Sequence, residues 1–351
     1  EAPALASLTE SFARRYAERY PEVTGRFDRD TAGGVRLLDL QLNAGFGAAE
    51  GLQETGYFSD YGRENFVPGS PLPDSSAGSL LGTISVSAGR HLAFSAAGGL
   101  RDSDVLLTSV YAVAQVPKLG AWVGRRHIGY GQGASATVVL TDDFAFDGVG
   151  VFLTEGLTLP WIFRYLGPLR ADAFVSRIDR NGNIEDPSFV GMRAHSAPHP
   201  RFRMGITKAG MFGAPEGRLD LKDLIIILAG GHAQGSEFDN QVAAGDFWWR
   251  PPLGTALPLA LFLTWGFDDS AGAYHDVPAS VAGATLAAFP GLEEVALTLQ
   301  RAEFRRSCCG NPPWYRHPIG FLDNWTMERR PLGHPLAGHG TEWLAELTAA
   351  G

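Results

Sequence analysis

Asp246, Trp248 and Arg250 occupy alternate positions in the segment 237–250, EFDNQVAAGDFWWR. Successive side chains of an extended chain point to opposite faces. A carboxylate, an indole and a guanidinium therefore share one face with Val242 and Ala244, while Gln241, Ala243, Gly245, Phe247 and Trp249 share the other. A flat ring offers a face for C–H groups and the flanking charges offer planar hydrogen-bonding pairs, a combination that suits a saccharide. Trp314, Tyr315, Arg316, Asn324 and Trp325 repeat that combination later in the chain, and Arg126 adds a guanidinium earlier. The plain alternative for all of these residues is interior packing and charge pairing in half-buried strands.

Other constellations are weaker. Asp142, Asp143 and Glu155 supply carboxylates for a glycoside hydrolase, which needs two of them about 5–10 Å apart. No nucleophile elbow with Ser, His and Asp partners accompanies them. The run GYGQG at 129–133 lacks the lysine and following helix of a phosphate loop. Asp179, Asn181 and Asp186 lack the glutamate that closes a calcium loop and read as a solvated turn. Cys308 and Cys309 are adjacent, so they cannot staple distant segments, and they have no further cysteine with which to build a zinc site. No metal site and no cofactor are expected.

The elements that must position these residues are strands. The 351 residues carry 29 Lys+Arg against 38 Asp+Glu, which removes the basic footprint of a nucleic-acid binder. No stretch approaches the roughly 20 apolar residues of a membrane helix, whereas a membrane strand needs only about 9–11 alternating ones. Leu38, Leu40 and Leu42 interleave with Asp39, Gln41 and Asn43 in this way. Strands are then expected over 81–88, 91–98, 105–116, 120–127, 136–141, 148–155, 170–178, 189–195, 201–207, 237–250, 257–267, 280–287 and 293–303, joined by Gly- and Asn-rich turns.

On the strand through Trp122, residues Arg125 and Arg126 fall on opposite faces, so at least one must turn inward if the strand sits in lipid. Ser7 and Glu10 have capping-box spacing, which predicts a helical segment within 1–32 before a barrel over 33–351. Leu221, Leu224, Ile225 and Leu228 predict a short helix over 219–229, inserted between strands. The apolar bend LTLPWIFRYLGPLR at 157–170 carries aromatics suited to a membrane interface.

Several segments, taken in order, resemble the capsule assembly protein Wzi family: YLGPLRADAFVSRIDRNGNIEDPSFVGMR at 165–193, LDLKDLIIILAGG at 219–231 running into DNQVAAGDFWWR at 239–250, WYRH at 314–317 and RPLGHPLAGHG at 330–340. The resemblance covers the chain from about Lys118 onward, while the first third matches by pattern only. It implies an all-β fold: a large antiparallel transmembrane β-barrel of about 16–18 strands, its lumen partly plugged by helices. It implies a bacterial outer-membrane location, with the signal peptide already removed, and a lectin-like function that binds and anchors capsular or exopolysaccharide without catalysis. Expected partners are that polysaccharide and outer-membrane lipid, with other capsule export components as further candidates.

Two departures stand out. GYGQGAS replaces an expected tryptophan-rich Gly-Pro turn near Tyr130, and the chain stops at 347–351 without a terminal aromatic strand. An open sheet edge in lipid is not tolerated, so a truncated or atypical end is expected. The competing functions are a glycoside hydrolase acting on surface polysaccharide and a diffusion porin. Register decides the facing of the opening segment: Asp246, Trp248 and Arg250 should face the lumen and Phe247 and Trp249 the lipid, an assignment that a one-residue slip would reverse.

Overall fold

The computed structural model describes residues 35–48, 76–101, 104–134, 136–142, 144–178, 187–212, 239–253, 257–268, 279–289, 294–304, 314–315, 325–327, 330–336 and 340–349, with short pieces between 54 and 71 and at Leu292. The helices expected within 1–32 and over 219–229 lie outside the described residues, as do Asp143, Asp179, Asn181, Asp186, Cys308 and Cys309.

Fourteen strands form one sheet in chain order: β1 (Val35–Ala48), β2 (Ser76–Ala88), β3 (Leu92–Arg101), β4 (Asp104–Val116), β5 (Leu119–His127), β6 (Ala145–Phe152), β7 (Leu169–Arg177), β8 (Ser188–His199), β9 (Phe202–Phe212), β10 (Asp239–Trp249), β11 (Leu259–Asp268), β12 (Ala279–Leu286), β13 (Val295–Phe304) and β14 (Gly340–Ala349). Each pairs antiparallel with the next, and β1 and β14 are the two margins. The described sheet thus holds fourteen strands, beside the sixteen to eighteen expected for the whole chain. Among the described residues no helix is long and apolar enough to cross a membrane, which leaves crossing by strands open.

Alternation explains why these segments are strands and which way they face. Val123, Val149, Val151, Ile206, Leu299 and Leu347 are exposed on the outer face, whereas Trp122, Phe146, Phe174, Phe189 and Ala302 are buried on the inner one. An outer face this apolar suits hydrocarbon rather than water. In β1 the outward set switches from Val35 and Leu37 to Leu38, Leu40 and Leu42, and the pairing with β2 shifts between Leu37 and Asp39. That phase slip is a β-bulge.

Two expectations are corrected. Gly340–Ala349 is a strand that pairs with β13, alternating between exposed and half-buried positions with Trp343 exposed. Its aromatic lies near the start of the strand rather than at the end, so a search for a terminal aromatic does not find it. Residues 136–141, expected as a strand, are instead an irregular segment held inside the curled sheet, with Val138, Val139 and Leu140 fully buried. A short apolar run reads alike in both settings, because burial on all sides removes the periodicity that would mark a strand.

The arginine pair on β5 divides as lipid requires. Arg126 turns inward, its guanidinium 5.4 Å from the Trp122 ring and 5.6 Å from that of Tyr111. Arg125 faces outward and donates from Nε to Asp147 Oδ1 at 2.9 Å and from NH2 to Oδ2 at 2.5 Å. A second outward pair, Arg301–Glu303 at 2.9 Å, lies on β13 with the Arg301 guanidinium 5.7 Å from the Trp343 ring. Both pairs lie toward the ends of their strands that lead into connections 128–144 and 305–339, so paired charge bounds the apolar band on that side.

The two rims differ. One carries the tight turns 89–91, 117–118 and 200–201, and the other carries most of the long connections, including 49–75, 128–144, 213–238 and 305–339. Two of the long ones return into the lumen. Segment 128–142 reaches across the inner face: Gln132 N donates to Thr264 Oγ1 of β11 at 2.9 Å, Ala134 N to Gln300 Oε1 of β13 at 2.7 Å, and Tyr130 Oη to Asp172 of β7. Residues 314–315, 325–327 and 330–336 lie against it. The occlusion expected from helices is provided, among the described residues, by irregular chain. On the tight-turn rim the connection between β6 and β7 holds a 3-10 helix, Trp161–Leu166, within the expected apolar bend, and exposes Trp161, Ile162, Phe163 and Tyr165.

Candidate functional site

The luminal face of β10 is the one anticipated. Asp246 is buried at 2% exposure, while Phe247 and Trp249 on the other face are 42% and 46% exposed. Pairing fixes this phase from both sides, since Gly205 of β9 and Thr264 of β11 stand opposite Asp246.

Asp246 is enclosed by protein. Its Oδ1 accepts from Arg193 NH2 at 2.8 Å and from Gln132 Nε2 at 3.1 Å, while Arg193 NH1 donates to Thr207 Oγ1 at 3.0 Å. Gly205 makes room for this group, because a Cβ there would come within 2.6 Å of Asp246 Oδ2 and 2.7 Å of Arg193 NH2. The carboxylate thus ties the luminal segment to the wall. In this arrangement it presents no open surface to a ligand.

Nearer the tight-turn rim the same wall opens. Trp248 is half-buried opposite Arg203, whose guanidinium lies 5.0 Å from the ring centroid and covers one face. Arg250 is half-buried beside Arg201, its N–H donating to the Arg201 carbonyl at 2.8 Å. Arg201 and Arg203 are exposed, and Arg170 on β7 is exposed across from His195 of β8. Of the expected site residues, the structure therefore brings Trp248 and Arg250 together at an accessible surface.

Trp314, Tyr315 and Trp325 go elsewhere. All three have no exposed surface, so no ring face is open to a sugar. Tyr315 Oη donates to the Val138 carbonyl at 2.5 Å and accepts from His334 N at 3.0 Å, and Trp325 Nε1 donates to the Val139 carbonyl at 2.8 Å. Trp325 also packs on Phe189 at 5.4 Å between centroids, and Trp314 meets Phe304 edge-on at 5.4 Å. Their chemistry is that of a plug, with indole and phenol groups capping the carbonyls of an irregular segment that lies outside the sheet. Arg316 and Asn324 lie outside the described residues. Arg126 is half-buried over two aromatic rings and apart from Trp248, on β5 rather than β10.

Residues that sequence patterning did not single out are Arg193, Gln132 and Gly205, which hold Asp246, and Arg170, which stands opposite His195. The alternation of Arg201 and Arg203 against Phe202, Met204 and Ile206 does mark a cationic face. What links that face to β10 is pairing across the connection 213–238, which local sequence does not encode.

The plug contains a titratable group. Burial pushes the His334 imidazole down from 6.5 to about 4. Its Nδ1 accepts from Leu336 N at 3.2 Å, which places the proton on Nε2, 3.7 Å from Glu342 Oε1. Above pH 6.5 the ring is neutral in both folded and unfolded plug. As pH falls from 6.5 toward about 4, the unfolded ring binds a proton that the folded one refuses, so plug stability declines by up to about 1.4 kcal/mol per pH unit. The temperature of heat-induced conversion on gels should drop as pH is lowered through this window, and His334→Gln should flatten that drop. An equal drop in the variant would assign it to other groups.

No curated protein sequence matches the chain. A solved structure, that of the Escherichia coli outer-membrane protein Wzi, described as a carbohydrate-binding β-barrel involved in group 1 capsule assembly, superposes with a TM-score of 0.68 at 15% identity, over 99% of this chain and 71% of that one. That likeness establishes the fold. The family model of the capsule assembly protein Wzi matches residues 47–350, nearly the whole of the described sheet and its luminal segments, and the chain belongs to that family.

Proposed function

We propose that this chain is an outer-membrane barrel that binds and anchors capsular or extracellular polysaccharide at the cell surface without chemical turnover. The plugged lumen carries this reading. Segments 128–134, 136–142, 314–315, 325–327 and 330–336 pack on the inner face, which disfavours a diffusion pore. The apolar outer band supports insertion in a bilayer, and family membership supports capsule assembly. Carbohydrate binding by the E. coli relative supports a glycan as partner. Of the expected glycan residues, Trp248 and Arg250 stay accessible, while Asp246 and the plug aromatics keep the wall in place.

Purified chain incubated with capsular polysaccharide from its own host should retain the polymer and release no new reducing ends. Release of reducing ends would favour the hydrolase, and failure to retain the polymer would overturn the reading. A large steady single-channel conductance would favour the porin.

A further inference from the structure

We propose that the outer face of β2 to β7 binds a phosphorylated glycolipid of the outer leaflet, with Arg125 and Arg177 at its phosphate and the apolar groove beside them taking an acyl chain. This rests on the reading of the chain as an outer-membrane barrel and adds a site outside the lumen.

Register carries the geometry. One rung crosses six strands: Ile84 of β2 stands opposite Ala96, Ala96 opposite Val110, Val110 opposite Arg125, Arg125 opposite Asp147, and Asp147 opposite Arg177 of β7. All six face outward, because Ser85, Ser95, Ser109, Phe146 and Ser176 beside them in sequence are buried on the inner face. The next rung toward the tight turns is wholly apolar: Val86, Phe94, Ala112, Val123, Val149 and Val175. The charged rung thus borders the apolar band on the side of the long connections, which in bacterial barrels is the extracellular side.

Charge on that rung does not balance. Asp147 accepts both prongs of Arg125, while Arg177 on its other side is exposed and has no hydrogen bond or ion pair among the described residues. Two guanidinium groups therefore share one carboxylate. On β13, by contrast, Arg301 is matched by Glu303. Unpaired cationic charge on the lipid face is costly, and an anion from the membrane itself would offset it. The groove is the second observation. The small side chains of Ala96 and Ala112 lie among Ile84, Phe94, Val110 and Val123, and the resulting apolar hollow of about 370 Å³ reaches Gly124, next to Arg125. That volume falls in the range of about 300–1,000 Å³ typical of small-ligand sites. Arg177 lies two strands beyond Arg125, about 10 Å away, a span that one lipid headgroup covers.

A planar guanidinium grips a phosphate through two parallel hydrogen bonds, and an apolar groove beside it suits an acyl chain, so a phosphorylated lipid satisfies both features at once. A free phosphate would leave the groove empty, and a neutral lipid would leave Arg177 unpaired.

Full-length chain in detergent should bind diphosphorylated lipid A, titrated by native mass spectrometry, at least about tenfold more tightly than the same lipid stripped of both phosphates. Arg177→Gln should remove most of that preference, and Ala112→Phe, which fills the groove, should lower affinity for the phosphorylated lipid about fivefold. Both variants should keep heat-modifiable migration. Arg301→Gln, the matched arginine on β13, should leave affinity within about twofold. Equal affinity for the two lipids, an unchanged preference in Arg177→Gln, no loss in Ala112→Phe, or an equal loss in Arg301→Gln would overturn the proposal. Displacement of the lipid by inorganic phosphate would overturn the lipid as occupant in favour of a free anion. A chain that fractionates with the outer membrane yet shows no preference would overturn this inference alone, and one absent from that membrane would overturn the barrel reading as well.

Discussion

Replacing Trp325 with Ala should open the lumen. The indole is wholly buried, packs on Phe189 and donates to a carbonyl 186 residues away in sequence, that of Val139. Its loss leaves a cavity the size of a large aromatic and strands that carbonyl, and large-to-small changes of this kind cost about 3–5 kcal/mol. The barrel wall does not depend on the ring, because its strands pair with one another. The damage should therefore fall on the plug. The expected result is a barrel that still migrates as folded, shows a lower temperature of heat conversion, and conducts ions in planar bilayers where the parent does not. Trp325→Phe, which keeps most of the packing and loses the hydrogen bond, should fall between. A W325A protein as resistant to conduction as the parent would show that other luminal segments, and not this ring, seal the lumen.

Arg193→Leu should be the most damaging single change in the wall itself. It leaves Asp246, at 2% exposure, with the Gln132 amide as its remaining partner on Oδ1. Breaking a buried pair from one side costs about 3–5 kcal/mol, because a charge is stranded, whereas removing both members with apolar replacements is often near neutral. The double change Arg193→Met with Asp246→Leu should therefore recover most of the stability lost in the single one, as read by urea unfolding followed by tryptophan fluorescence. If the double variant is as unstable as the single, the pair contributes more than mutual neutralisation, and its hold on Gln132 of the luminal segment becomes the better explanation.

The contrast between these two sites explains why the candidate glycan residues divide as they do. Asp246, Trp314, Tyr315 and Trp325 have the same chemistry that recognises a sugar: planar charges, donors at ring edges, flat apolar faces. That chemistry serves equally to satisfy an irregular segment in a lumen, whose carbonyls must find partners without a neighbouring strand. Residue type cannot separate the two uses. Exposure does, and it leaves Trp248 and Arg250 with neighbours that the local sequence does not join to them, Arg203 and Arg201.

What the sequence determined by itself is everything with a short period. Alternation along β10 placed Asp246 inward and Phe247 and Trp249 outward, and the step from Leu37 to Leu38 carries the phase slip that the structure realises as a bulge. Alternation is a property of the backbone of one strand, so one segment suffices to tell which residues share a face, and pairing with β9 and β11 fixes which face is luminal. The order of motifs likewise marked the family that the full match over residues 47–350 establishes. The tertiary structure alone decided which segments leave the wall to fill it. The apolar run 136–141 carries no mark that distinguishes a strand in the sheet from a buried luminal segment, and only pairing with β13 reveals the final strand, whose aromatic is Trp343. Tertiary structure also decided that β9 and β10 bring arginines around one indole, because that meeting depends on pairing across 213–238, and long-range pairing is written in no local pattern.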